Sequence, residues 1–330
     1  MRRLSGSSRI SRRDLVMTAG AAAICATSAF GQKAAVRTIG VVRVNPQDVN
    51  ETFVEPFRRY MKELGWEEGN NIEIQTLWAG ARNERIPALV DDLIGRQVDI
   101  LVLFGDLGIR AGQRATASTP IVGLADDLVR SGLASSMARP GGNTTGVSLL
   151  SGELDSKRLE LLHEFVPAAK RIGVLADPTT ASSGSQLDGA ARSLGIGPTS
   201  WQAQNRDEIA RALDAMSLAR IEAVNVLASP ILNNNRDLII PRLRGMRLPA
   251  IYQWPESAED GGLLGYGPRL VLAYRQMATL VDKILRGARP ADLPIEQPTT
   301  FELVVNLRTA NAIGLAIPPA LQLRADRVIE

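Results

Sequence analysis

The side chains equipped for chemistry in this chain gather where short apolar runs end. Asn45 follows the run 38–44, Trp78 closes 72–78, Phe104 closes 99–104 with Gly105 and Asp106 after it, and Asp126 and Asp127 follow 121–125. In the second half, Asp177, Ser229, Tyr252, Gln253, Trp254 and Tyr266 hold similar places. Carboxylates and amides of this kind receive ammonium, hydroxyl or amide groups, and rings stack on apolar solutes. Aromatic residues are only 4% of the chain, so five at or near such ends is a concentration. Trp254, beyond its run and before Pro255, is the ring best placed to face outward, whereas Trp78 and Tyr252 serve equally well as packing residues. An aspartate at a strand end also commonly caps the next helix.

Catalysis has few parts to work with. His163 is the one histidine, set between Leu162 and Phe165 in a segment of alternating charge, so no Ser-His-Asp triad or histidine metal cluster can be assembled. No G-x-G-x-x-G follows the first run and no G-x-x-x-x-G-K-[ST] occurs, so dinucleotides and nucleotides lack their cradle. The expectation is binding without catalysis, with no cofactor and no metal.

The elements that must position these residues alternate strand and helix. Runs at 38–44, 72–78, 99–104 and 121–125 read as buried parallel strands. Between them, Phe53, Phe57, Met61 and Leu64, then Ile86, Leu89, Val90, Leu93 and Ile94, mark amphipathic helices. A further helix is expected around Leu133. The scheme then repeats in order. Ile39-Gly40-Val41 returns as Ile172-Gly173-Val174, Leu64-Gly65 as Leu194-Gly195, residues 99–102 as 222–225, and Pro120-Ile121-Val122 as Pro249-Ala250-Ile251. Two α/β lobes of one design follow, each a doubly wound parallel sheet. Ligands of such sheets lie beyond the carboxyl ends of the strands. The glycine-punctuated stretch 139–151, the segment 261–267 and the proline-rich 290–298 read as three crossover segments and as the sites of bending.

The first 31 residues stand apart. Ser11-Arg12-Arg13-Asp14-Leu15 precedes a small, apolar run too short to span a bilayer, with a cleavage site near Ala29-Phe30-Gly31. The paired arginines resemble a twin-arginine export signal. A lipoprotein leader ending at Cys25 fits less well, because Ile24 is too large for the usual small-residue position. Removing residues 1–31 takes away five arginines and Asp14, so the net charge falls from +3 to about −1. The mature chain then has no basic footprint for nucleic acid. It also has no cysteine, since Cys25 is the only one, and it depends on packing for stability.

The string Asp127-Leu128-Val129-Arg130-Ser131-Gly132-Leu133 followed by Ala138-Arg139-Pro140-Gly141-Gly142-Asn143-Thr144-Thr145-Gly146-Val147-Ser148 resembles the signature of ABC-importer substrate-binding proteins of the tryptophan/tyrosine-binding branch. Gly261 to Gly267, Ile284-Leu285-Arg286-Gly287 with Pro290-Ala291-Asp292-Leu293-Pro294, and Val305-Asn306-Leu307-Arg308-Thr309-Ala310 extend the likeness through the whole mature chain. The resemblance implies a type I periplasmic binding fold with residues 1–31 as leader, 36–148 plus 262–288 as the first lobe, and 149–261 plus 289–330 as the second. It implies a periplasmic, monomeric receptor that captures a small solute and passes it to an inner-membrane ABC permease. A sensor presenting solute to a membrane receptor, and a twin-arginine-exported enzyme, are the alternatives. The ligand-binding residues expected are Asn45, Phe104, Gly105, Asp106, Asp127, Asp177, Ser229, Tyr252, Trp254 and Tyr266, with Asp127 matching the family's aspartate as acceptor for an ammonium. The chain departs from the family where ligand would sit, at Leu128, Gly105-Asp106-Leu107 and Gly265, so the resemblance carries no ligand identity.

Overall fold

A parallel strand is buried on both faces, and the alternation of its side chains decides which helix covers which face. The computed structural model describes residues 36–44, 54–80, 82–179 and 184–330. The expected leader and Asn45 lie outside the described residues.

The first sheet is built from β1 (Arg37–Arg43), α1 (Val54–Glu63), β2 (Ile72–Trp78), α2 (Ile86–Gly95), β3 (Ile100–Phe104), α3 (Gly105–Ala115), β4 (Ile121–Ala125) and β5 (Thr144–Ser148). Its strands run in the order β2-β1-β3-β4-β5, all parallel. The chain continues through α4 (Ser151–Phe165), β6 (Arg171–Ala176), α5 (Gly184–Leu194), β7 (Gly197–Gln202), α6 (Arg206–Leu218), β8 (Ala223–Val226), α7 (Pro230–Asn234), α8 (Arg236–Gly245), β9 (Ala250–Tyr252), α9 (Pro255–Glu259) and β10 (Leu264–Gly267). It ends with α10 (Leu270–Leu285), β11 (Glu302–Asn306), α11 (Leu307–Ile313), α12 (Pro319–Gln322) and β12 (Arg327–Ile329). The second sheet runs β12-β11-β10-β9-β8-β6-β7, and among the described residues only its β10–β11 pairing is antiparallel. The order 2-1-3-4-5 of the first sheet thus returns as 7-6-8-9-10. The repetition seen in the sequence is a repetition of topology.

One repeated residue shows the cause. Gly40 and Gly173 occupy matching positions in β1 and β6. A Cβ on Gly40 would come within 3.0 Å of Leu93, and one on Gly173 within 3.1 Å of Ile221. Each lobe lays a helix and the turn after it this closely on its second strand from the edge.

The alternation in β3 is complete. Leu101 and Leu103 pack with Val90, Leu93 and Ile109, while Ile100 and Val102 pack with Phe57 and Met61 of α1 and with Tyr274, Met277 and Val281 of α10. Helix α10 therefore covers the first sheet, although β10 immediately before it belongs to the second. The return crossing lies between Gly267 and Leu270, not at 261–267 as expected. Leu263 and Leu264 are buried in the core of the second sheet and β10 fills the gap between β9 and β11, which makes that glycine-rich segment a strand.

The proline-rich segment also departs from expectation. Its backbone follows the edge of the first sheet, with Glu296 N–H donating to the Gly146 carbonyl at 2.9 Å and Ser148 N–H donating to the Glu296 carbonyl at 2.9 Å. The third crossing takes up only its end, at 297–301, before the strand that begins at Glu302. No helix forms around Leu133. Gly132, at φ 68°, turns the chain there, and the N–H groups of Leu133 and Ser135 donate to the carbonyls of Leu128 and Pro140.

The motif that carries the family likeness has a structural explanation. Asn143 Nδ2 donates to the carbonyls of Thr116 and Thr119, both at 3.0 Å, and Thr145 Oγ1 donates to the Leu293 carbonyl at 2.9 Å. A Cβ on Gly146 would lie 1.9 Å from the Gly123 carbonyl oxygen, so only glycine fits.

A buried ion pair fixes α4 on the second sheet. The guanidinium of Arg158, with no exposed side-chain surface, donates from Nε to the Tyr266 carbonyl at 2.8 Å and from Nη1 to Asp155 Oδ1 at 2.5 Å. Burial pushes the Asp155 carboxyl up to about 6, against the attraction of Arg158. A carboxyl whose native pKa is raised contributes stability that is full below its unfolded value and is lost as pH rises through the native one. The advantage of the parent chain over Asp155→Asn is therefore expected to grow as pH falls from 7 toward 4. Urea unfolding of both at several pH values measures it, and a constant difference would contradict the assignment.

Candidate functional site

The carboxyl ends of the two sets of parallel strands meet across one cavity lined by both lobes, the position where open parallel sheets bind their ligands. From the first lobe come Arg43 at the end of β1, Phe104 and Asp106 at the β3–α3 junction, Leu124, Ala125 and Asp126 from β4, and Leu149 from the first crossing. Leu270 and Tyr274 reach it from α10. The second lobe supplies Ala228, Ser229, Pro230, Asn233 and Asn234 around α7, with Gln253 and Trp254 after β9.

Rings and aliphatic groups make most of the wall. Phe104 meets Tyr274 edge to face, with centroids 6.5 Å apart and planes at 89°. The guanidinium carbon of Arg43 sits 4.4 Å from the Phe104 ring centroid, a cation–π distance. Trp254, 6% exposed, enters from the opposite lobe and precedes Pro255, the first residue of α9. Its backbone lies directly against Gly265, where a Cβ would come 2.5 Å from the Trp254 carbonyl oxygen. The glycine that departs from the family pattern thus makes room for the tryptophan turn.

The lobes touch at the edge of the cavity. Gly105 adopts φ 69°, and a Cβ there would lie 3.1 Å from Pro230 Cγ. This contact joins the first residue of α3 to the first residue of α7.

The polar groups divide into those that face the cavity and those used up by the scaffold. Asp106 accepts from Ser131 Oγ at 2.6 Å and does not cap its own helix, so the first turn of α3 begins without a side-chain cap. Burial pushes the Asp106 carboxyl up, opposed by the Ser131 hydrogen bond and by Arg110. Asp126 accepts from Arg130 Nη2 at 2.9 Å and from Gly152 N–H at 3.1 Å. Ser229 lines the cavity, but its hydroxyl donates to Asp177 at 2.7 Å and accepts from the N–H of Ile231 at 3.0 Å, so it shapes the wall as the cap of α7.

Of the residues expected from sequence, Phe104, Gly105, Asp106, Ser229 and Trp254 line this cavity. Asp127 does not. Its Oδ1 accepts from the N–H groups of Val129 and Arg130, each at 3.0 Å, the local turn that aspartate readily makes. Its neighbour Asp126 faces the cavity instead. Asp177 lies in a smaller recess beside Gly105 and Asp106 and is held by Thr179 N–H at 2.8 Å and by Ser229. Tyr252 is a core residue, 4% exposed, its hydroxyl pKa raised by burial. Tyr266 packs its ring on the second lobe's core.

Sequence reasoning missed Arg43, Asn233, Asn234, Leu270 and Tyr274. The triple asparagine after Ser229-Pro230 was a usable signal for Asn233 and Asn234. Tyr274 had none, because it reaches the cavity only through the return of α10.

The sequence matches the ABC transporter substrate binding protein family over residues 38–329. A tyrosine-binding protein of Clostridioides difficile is 22% identical over 286 residues, which is 84% of this chain and 81% of the relative. Among solved structures, a conserved domain protein of Vibrio cholerae O1 biovar El Tor superposes with a TM-score of 0.80 at 24% identity, covering 89% of this chain and 99% of the other. An ABC domain of Streptococcus pneumoniae in complex with L-Trp superposes at 0.78 with 20% identity, covering 89% and 100%. With two repeated α/β lobes, three crossings and a cavity at the facing strand ends, this chain belongs to the ABC transporter substrate binding protein family.

Proposed function

We propose that this chain is the exported receptor of an ABC importer, which takes a small solute into the cavity between its lobes and presents it to an inner-membrane permease. The observation that carries the reading is the cavity itself: it is bounded by both lobes, walled by Phe104, Tyr274 and Trp254, and edged by the Gly105–Pro230 contact. The twin-arginine type leader in residues 1–31 supports export to the periplasm, and the chain acts there as a monomer.

The solute has a planar or apolar body and a polar end. Trp254 covers the body from one side and Phe104 with Tyr274 from the other. Asp126 and Asp106 receive its hydrogen-bond donors, and the uncapped first turn of α3 offers N–H groups to a carboxylate. Relatives that bind tyrosine and L-Trp support an aromatic amino acid or a compound of similar shape. The first lobe comprises residues 37–148 with 270–296, the second 149–267 with 302–329, and the bends fall at 148–151, 267–270 and 297–301.

Thermal-shift titration of the purified protein with L-tryptophan, L-tyrosine and related aromatic acids is expected to give stabilisation that rises with concentration. Trp254→Ala weakens the best ligand by about 1–3 kcal/mol, whereas Asp127→Ala lowers stability and leaves affinity within about twofold, since Asp127 is used by its own turn. Calorimetry on the folded variants distinguishes the two. Full affinity in Trp254→Ala would place the site elsewhere, and chemical turnover of the bound compound would overturn the receptor reading.

Closure about three backbone crossings also changes shape. Small-angle scattering is expected to show a smaller radius of gyration with saturating ligand than without it. An unchanged radius would argue against lobe movement.

A further inference from the structure

The two crossings that flank the cavity are tied by carboxylates in a reciprocal way. Asp126 follows β4 in the first lobe, and its Oδ1 accepts the N–H of Gly152 at 3.1 Å. Gly152 is in the first turn of α4, the helix packed on the second sheet. Glu256 follows β9, the matching strand of the second lobe, and its Oε1 accepts the N–H of Leu270 at 3.0 Å. Leu270 opens α10, the helix packed on the first sheet. Each lobe thus places a carboxylate on the positive end of a helix that belongs to the other.

The first of these ties is the more strained. The Asp126 carbonyl also accepts the N–H of Leu150 at 2.8 Å. Leu150 is held at φ 50°, ψ 37°, a left-handed conformation unfavourable for a side chain with a Cβ. It is the N-cap of α4 and gives that helix no side-chain cap, so Asp126 does the capping from across the crossing. Asp126 and Leu270 both line the cavity.

We propose that Asp126 and Glu256 are positioning residues that latch the lobes in the closed arrangement, and that Asp126 couples the latch to the bound solute because one carboxylate faces the cavity and grips the first crossing. Opening the lobes separates Asp126 from Gly152 and lets Leu150 relax to an ordinary φ. A solute that orients Asp126 holds the crossing bent. The coupling to solute rests on the receptor reading above, but the latch itself operates in the empty protein and is tested there.

The test uses the full chain with Cys25→Ala and fluorophores on cysteines introduced at Glu63 and Leu218, which are exposed, the latter by 87%. Single-molecule energy transfer reads the lobe separation without solute. Asp126→Ala and Glu256→Ala are each expected to shift the balance about tenfold toward the wide separation, the scale of one hydrogen bond to a charged group. Asp126→Asn restores part of it, because the amide oxygen still accepts from Gly152. Leu150→Gly shifts the balance the other way, since glycine accepts φ 50° without strain.

L-tryptophan is then added as the probe. If it binds the parent chain, Leu150→Gly binds it more tightly, and Asp126→Ala binds it more weakly with an incomplete return to the narrow separation. If L-tryptophan does not bind the parent chain, the substrate reading loses support and the solute-free shifts alone judge the latch. Equal separations in all chains overturn the proposal, as does a lowered unfolding midpoint in Asp126→Ala with no change in separation, which would make Asp126 merely structural.

Discussion

A buried parallel sheet has to be covered on both faces, and in this protein one lobe cannot do that with the helices of its own half of the chain. Helices α2 and α3 cover one face of the first sheet. The other face has only α1 until α10 arrives from the far end of the second lobe with Leu270, Ala273, Tyr274, Met277 and Val281. The chain must therefore leave the first sheet after β5, return for α10, and leave again for β11. The three crossings follow from the need to bury apolar surface.

The cavity inherits its character from the same constraint. Parallel strands end together, so both lobes turn their loops and helix starts toward one gap. Because α10 begins at the crossing, Leu270 and Tyr274 are carried into that gap along with the strand-end residues. Packing on both sides leaves Asp106 and Arg43 almost without solvent, at 9% and 4% exposure. In that setting burial raises a carboxyl's pKa, and at Asp106 the hydrogen bond from Ser131 opposes the rise without cancelling it. Buried polar groups of this kind discriminate sharply between partners, because an unmade hydrogen bond there has no water to replace it.

Glycines do the local work that makes these approaches possible. Gly146 admits the Gly123 carbonyl, Gly265 admits the Trp254–Pro255 turn, and Gly105 leaves space for Pro230 of the other lobe. The segment from Pro140 to Ser148, which carries the family likeness, is thus chiefly architectural. Asn143, Thr145 and Ser148 bind the backbone of neighbouring segments, and the residues that line the cavity lie elsewhere.

Much of this was legible in the sequence. The alternation of apolar runs and amphipathic helices is local physics, and the repeated Ile-Gly-Val landmarks are internal to the chain, so the two lobes, the strand positions and five of the cavity residues could be read directly. Tertiary structure alone decided which of two adjacent aspartates faces the cavity, because Asp127 is taken by the amides of Val129 and Arg130 while Asp126 reaches across to Gly152. It also decided that the segment expected as the second crossing is strand β10, since Leu263 and Leu264 are buried only when β9 and β11 stand on either side. Tyr274 and Arg43 belong with these. Their place in the site comes from a helix returning over 120 residues after the sheet it covers and from the turn of one strand end, and neither leaves a periodicity or a spacing in the sequence around it.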